Sequence, residues 1–309
     1  MSLKRTVGIG ALVALGFAAG AFYWVHARGE QALPLPDVVS QEPPGFQEAS
    51  VANALPNVAA GKAAPSAKTK KTTPPAPAEL PLKAGEVLNY EADVAKLENV
   101  ATLTLKVAGK GNFLGKSVWH LQATAHTLKP LRIVFELDDQ FDSYSDAGTL
   151  ASLQYEMRLN ERGQKVQSIQ RMTSTGKEPA PADATAARVL PGTRDPLGMM
   201  QFLRTTDWSS TSQVRSPVYD GHKLYDVRAK LVSTSAAVGV PAGDFRATKI
   251  DIHVFENGVE TKDASFALYL ANDSARTPVL LEAVMPFATA RVQLVKDQPE
   301  TAEAKPKAD

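Results

Sequence analysis

Ala101-Thr102-Leu103-Thr104-Leu105-Lys106-Val107 alternates apolar and polar side chains at every step. A period of two is that of an extended strand with one face buried and one face wet. The pattern repeats on both sides of this stretch. Leu88, Tyr90, Ala92 and Val94 alternate with Asn89, Glu91 and Asp93. Trp119, Leu121, Ala123 and Ala125 oppose His120, Gln122 and Thr124, and Leu153, Tyr155, Met157 and Leu159 oppose Gln154, Glu156, Arg158 and Asn160. Leu131, Ile133, Phe135 and Leu137 against Arg132, Glu136 and Asp138 predict a further strand. Tyr225–Leu231, Thr248–Val254, Phe266–Leu270, Val279–Met285 and Ala290–Leu294 continue the series.

Turn chemistry separates these runs. Gly109-Lys110-Gly111-Asn112, Glu161-Arg162-Gly163, Asp220-Gly221, Glu256-Asn257-Gly258 and Asn272-Asp273-Ser274 fall between them. Asn257-Gly258 is a strong signal for a two-residue hairpin turn. The expectation is an all-β domain of about ten or more antiparallel strands. So many strands tend to curl or close, giving a strongly curved sheet or an open or closed β-barrel-like unit. One helix interrupts it. Asp195-Pro196 supplies an N-cap and a proline at the first helical position, and Leu197, Met200 and Leu203 follow at helical spacing. This helix reads as a plug or lid across one end of the sheet.

Composition removes several function classes. The 309 residues carry a formal net charge of +1, so no electrostatic case exists for nucleic-acid binding. With no cysteine there is no disulfide, thiolate zinc site, iron–sulfur cluster, cysteine nucleophile or lipid-modified cysteine. No cofactor is expected.

Residues 1–27 read as a signal anchor or signal peptide. Lys4 and Arg5 precede Thr6–Val25, an uncharged run rich in Ala, Gly, Val and Leu, with Phe22-Tyr23-Trp24 near its end. About 20 apolar residues span a bilayer, and a basic flank in front keeps that end in the cytoplasm. Ala19-Gly20-Ala21 and Val25-His26-Ala27 are candidate cleavage sites. The expected place is a bacterial inner membrane, crossed once with the domain in the periplasm, or a periplasmic or secreted location after cleavage. Residues 28–83 hold about half of the 21 prolines and predict a disordered Pro/Ala-rich linker. Residues 84–297 form the β-rich domain, and 298–309 a disordered tail.

Gly85-Glu86-Val87-Leu88-Asn89-Tyr90 resembles the opening Gly-Glu-x-Leu-x-Tyr of the DUF3108 family of bacterial envelope proteins. Asp139-Gln140-Phe141-Asp142-Ser143-Tyr144-Ser145-Asp146 is similar to its Asp-x-x-x-Ser-x-x-Asp segment. Asp195-Pro196-Leu197 with Phe202-Leu203-Arg204 resembles its helix, and Asp220-Gly221-His222-Lys223-Leu224-Tyr225 its Asp-Gly-x-x-x-Tyr strand. Pro241-Ala242-Gly243-Asp244-Phe245 and Thr277-Pro278-Val279 resemble its closing segments. Gly198 departs from the pattern by standing where serine is common, and Phe202 stands where tyrosine is frequent. The resemblance implies a periplasmic or secreted β-rich domain and brings no catalytic residues with it.

The remaining chemistry is sparse. Asp138, Asp139, Asp142 and Asp146 are dense, yet lack the spacing of a calcium loop, and read as a solvated strand end and turn. His120, His126, His222 and His253 form no His-x-His or His-x-x-x-His pair. No Gly-x-Ser-x-Gly elbow, phosphate loop or dinucleotide fingerprint occurs. No catalytic or metal-binding residue is therefore assigned, and an enzyme such as a hydrolase is not expected. Arg204 on the helix and Trp208 just after it are the candidate ligand-binding residues: the guanidinium could hold an anionic head group at the mouth of the sheet. Its structural alternative is an ion pair with Asp195 or Asp207. The expected function is a non-enzymatic envelope protein that binds a lipid or envelope glycan in a curved sheet. The alternative is a structural or assembly module that binds a partner envelope protein.

Overall fold

The computed structural model describes residues 80–173, 185–261, 265–284 and 288–296. The expected membrane segment, nearly all of the linker and the C-terminal tail lie outside these residues. Among the described residues no helix is long and apolar enough to cross a membrane.

The domain is all-β. Its strands are β1 (Val87–Val94), β2 (Leu97–Phe113), β3 (Lys116–Thr127), β4 (Asp138–Asp146), β5 (Ser152–Glu161), β6 (Gln164–Thr173), β7 (Thr185–Arg188), β8 (Gln213–Tyr219), β9 (Leu224–Val240), β10 (Gly243–Glu256), β11 (Val259–Glu260), β12 (Ser265–Ala271), β13 (Pro278–Val284) and β14 (Thr289–Leu294). Among the described residues two helices accompany them: α1 (Leu131–Val134) and α2 (Pro196–Thr205). The strands form one 14-stranded sheet in the order β7-β6-β5-β4-β3-β2-β1-β14-β13-β12-β10-β9-β8, with β11 added to β10. Every pairing between strands is antiparallel except β6 with β7.

Register explains why the alternation folds this way. Leu88 faces Leu105, Leu105 faces Ala123, Ala123 faces Phe141, and Phe141 faces Met157. A one-residue slip in any strand would turn its apolar set to water. In register, these side chains form one continuous hydrophobic cluster that also takes in Leu197, Met199, Met200 and Leu203 of α2. The helix is buried on nearly all sides, as a plug must be.

The sheet stays open, with β7 and β8 as its ends, but its two halves are stitched together. Ser152 N–H at the start of β5 donates to Thr193 O at 2.9 Å, Arg194 N–H donates to Pro217 O at 3.0 Å, and Tyr219 N–H donates to Arg194 O at 2.8 Å. The segment before α2 thus sits between β5 and β8. Bulges at Val107/Gly109, Tyr144/Ser145 and Ala247/Lys249 add the local twist such curling needs.

One expected strand is absent. Residues 131–134 form α1, and Ile133 is 77% exposed. Pro130 lacks an N–H and precedes a single turn in which Phe135 N–H donates to Leu131 O at 2.8 Å. Arg132 fixes the turn by reaching Glu136 and Asp138, each at 2.7 Å. Only Phe135 and Leu137 of that alternation enter the core.

Candidate functional site

α2 carries the candidate residues, and its N-terminus is fastened first. The Asp195 side chain accepts from Gly198 N–H at 2.8 Å, and its other oxygen accepts from the Ser143 hydroxyl on β4 at 2.5 Å. Ser145 Oγ lies 2.8 Å from Ser143 Oγ, and Ser152 Oγ accepts from Asp195 N–H at 2.7 Å. Asp195, Ser143 and Ser145 are fully buried. Burial pushes the Asp195 carboxyl above the usual carboxylate range. This cluster pins the helix to the sheet and is closed to a substrate. Gly198 has a reason for its departure from serine: a Cβ there would lie 3.0–3.1 Å from Ser145 Oγ, Leu150 O and Ser152 Oγ.

The C-terminus of α2 is held by Arg204. Its guanidinium is fully buried and makes a two-pronged ion pair with Glu86 at 2.6 and 2.7 Å. Nε donates to Ala275 O at 2.8 Å. The acid partner is Glu86, not Asp195 or Asp207: the helix turns Arg204 toward the start of β1, whereas Asp195 is consumed at the other end of the helix. Asp207 instead caps its own turn through Ser209 and Ser210. Trp208 is buried, and its indole N–H donates to Leu203 O at 2.9 Å. The structure therefore places both residues together near the end of α2, facing inward. Arg276 completes this corner by donating to Thr205 O and Thr206 O at 3.0 and 2.7 Å.

Arg194, at the seam, is a buried cation whose side chain contacts neutral groups. It donates to Thr149 O and Ser216 Oγ at 2.8 Å each and lies 3.7 Å from the centre of the Phe202 ring. Burial lowers its pKa to about 10.

The four aspartates split by face, contrary to a solvated turn. Asp139 points into the core, takes one bond from Asn160 N–H at 2.9 Å and leaves Oδ2 without a partner. Burial raises its pKa to about 6. Asp142 is buried on the opposite face, where His120, Gln122, Gln140 and Arg158 surround it at 2.7–2.8 Å. Burial opposes its charge, but these hydrogen bonds outweigh it and hold its carboxyl well below the usual range. Asp138 is held down to about 2, chiefly by Arg132. Asp146 caps the β4–β5 turn through Gly148 N–H and Thr149 N–H. His120 and His126 pair with Asp142 and Asp138, and His253 pairs with Glu260, all away from the core. Among the described residues no cluster of His, Asp or Glu is arranged to hold a metal ion.

Sequence reasoning passed over Glu86, Ser143 and Asp220 as site residues, although all three lie in the segments that carry the family resemblance. Those segments meet one another in space. Glu86 binds Arg204, Ser143 binds Asp195, and the Tyr90 hydroxyl donates to Pro278 O at 2.8 Å. Asp220 accepts from His222 N–H and Lys223 N–H at 2.7 Å each and so shapes its own hairpin turn.

A family model described as a protein of unknown function, DUF3108, matches residues 89–295. No curated protein matches the chain. Among solved structures, a β-barrel-like DUF1849 protein from Brucella abortus is 10% identical, with a TM-score of 0.46, covering 68% of this chain and 95% of that one. A Bacteroides fragilis protein with a YmcC-like fold is 11% identical, with a TM-score of 0.33, covering 71% and 98%.

Proposed function

The chain belongs to the DUF3108 family, whose function is unknown, and from that premise we propose that it is a non-enzymatic envelope protein whose domain works through its outer surface, as a structural or assembly module. One observation carries this reading: the residues that mark the family resemblance act as internal fasteners. Glu86 with Arg204, Ser143 with Asp195, and Tyr90 with Pro278 tie distant segments together inside the fold. A binding site uses such polar groups to reach outward; here they are used up within the protein.

The competing reading, a lipid or envelope glycan held in the sheet by Arg204 and Trp208, has less support. Both side chains are buried and bonded to protein atoms, and α2 fills the apolar side on which a ligand would lie. Limited proteolysis within residues 28–79 would release the folded unit from envelope extract for native mass spectrometry. The expected species is the bare unit, alone or with a protein. A lipid or glycan retained at one copy per unit would overturn the reading.

The location rests on the N-terminal sequence: a basic flank and an apolar run support an inner-membrane anchor with the domain in the periplasm. Protease treatment of spheroplasts tests it. Digestion of the domain only after the outer membrane is opened agrees with this place, and a chain free in the cytosol contradicts it.

A further inference from the structure

The outer face of β3–β5 holds a buried charge that strand pairing does not need. The Asp142 side chain is only 4% exposed there. His120 Nε2 lies 2.8 Å from its Oδ1, and Gln122 Nε2 donates to the same oxygen at 2.7 Å. Its Oδ2 accepts from Gln140 Nε2 at 2.8 Å and from Arg158 Nη1 at 2.7 Å. Arg158 Nη2 also donates to Glu156 at 2.8 Å. Register brings these groups together, since Gln122 faces Asp142 and Asp142 faces Glu156 across the three strands. On a wet sheet face such long side chains ordinarily keep their rotamer freedom. Here one sunken carboxylate fixes four of them.

The groups left open are therefore fixed too. Gln122 and Gln140 each spend an amide N–H on Asp142, and each keeps its Oε1 as an acceptor with no partner among the described residues. Arg158 is 43% exposed and retains N–H groups beyond the two it uses. Tyr144 stacks on both His120 and Phe113, with ring centres 4.6 Å apart in each case, and walls one side of the array. Charge is balanced. Asp142 and Glu156 stand against Arg158 and the exposed Lys106, which faces Gln122.

We propose that this face binds a neutral glycan chain. Fixed amide carbonyls call for donors and a guanidinium calls for an acceptor, side by side on one ligand. The vicinal hydroxyls of a sugar supply both. An anion would meet two carbonyl oxygens and two carboxylates, and a cation would meet Arg158. A protein partner calls for an apolar centre with aromatic anchors, whereas both faces of the Tyr144 ring are covered by its neighbours. Holding the array in place before the ligand arrives lowers the cost of binding. The proposal rests on the reading that the domain works through its outer surface, and it names the surface and the ligand class.

The test uses the nitrogen-15-labelled full-length protein and three uncharged linear sugars: cellotetraose, maltotetraose and N-acetylated chitotetraose. At least one is expected to shift the side-chain amide signals of Gln122 and Gln140 saturably. The amide of Gln293 on β14, which donates to Asp93, should stay in place. In calorimetric titrations, Gln122→Ala/Gln140→Ala and Arg158→Lys should each weaken binding about ten-fold, and Gln293→Ala should not. A neutral ligand predicts a Kd that changes less than about two-fold between low and high salt. No response to any of the three sugars, an equal shift at Gln293, unaltered binding in both variants, or a steep loss with salt overturns the proposal. So do shifts at Gln122 and Gln140 that grow with protein concentration alone, which would mark a second copy. Contacts on an open face exchange quickly, so the unit released for native mass spectrometry is still bare. A bare unit with no response to sugar removes this inference and leaves the assembly reading standing. A glycan kept through purification by the Gln122→Ala/Gln140→Ala protein lies elsewhere and removes the reading itself.

Discussion

Arg204 and Glu86 stand 118 positions apart in the chain and meet through two charge-assisted hydrogen bonds, with the guanidinium sealed from water. The pair ties the end of α2 to the start of β1. Removing one partner leaves a buried charge without its counterpart, which costs about 3–5 kcal/mol. Glu86→Gln should lower the urea midpoint accordingly. Arg204→Met with Glu86→Leu should recover much of the loss, since a buried pair often does no better than apolar groups of similar size. A double variant as unstable as the single one would contradict the account.

Gly221 should not tolerate a side chain. Its φ is +102°, and a Cβ would collide with Cε of buried Met157. Gly221→Ala is expected to cost about 1–3 kcal/mol in strain alone. Adding Met157→Ala should relieve the collision but not the backbone strain, so the two changes should be non-additive in thermal unfolding.

Asp139 predicts a slope of stability with pH. Its folded pKa, about 6, lies above the ordinary 3.8 because burial disfavours the charged form. An acid raised in this way favours the folded state when protonated. Stability should therefore fall as pH rises from about 3.8 through about 6, by on the order of 2–3 kcal/mol. Asp139→Asn keeps an acceptor for Asn160 N–H and should flatten this slope. Asp138 acts in the opposite direction and at lower pH: its carboxyl is held down to about 2, so its contribution is lost as pH falls from 3.8 through about 2. An unchanged slope in Asp139→Asn, measured by denaturant titration at a series of pH values, would contradict this assignment.

Trp208 is expected to act through packing. Trp208→Phe loses the bond to Leu203 O, about 1 kcal/mol, whereas Trp208→Ala should cost about 3–5 kcal/mol. Both losses should appear as lowered urea midpoints. A Trp208→Ala midpoint equal to that of the unchanged protein would contradict a packing role.

The alternation in β2, β3 and β5 made the all-β fold legible because each strand buries one face. The start of α2 was equally clear, since Asp195 and Pro196 supply the cap and the first turn within two residues. α1 was hidden because four residues of alternation fit a helical turn as well as a strand, and the turn is fixed by Arg132 reaching the nearby Glu136 and Asp138. Arg204 was singled out correctly as a helix residue, but its partner was not, because nothing local links Glu86 to it. The two faces of β4 misled for a related reason. Asp139 and Asp142 look like a wet turn in sequence, and only neighbours on β3 and β5 show that both are buried.

α2 is a fixed part of a filled interior and not a lid over a ligand space. Amide hydrogen exchange across Met199–Arg204 measures this directly. Protection equal to that of the central strands β2 and β3 is the predicted result. Exchange in α2 that is orders of magnitude faster than in those strands, and that slows when envelope lipid is added, would contradict it.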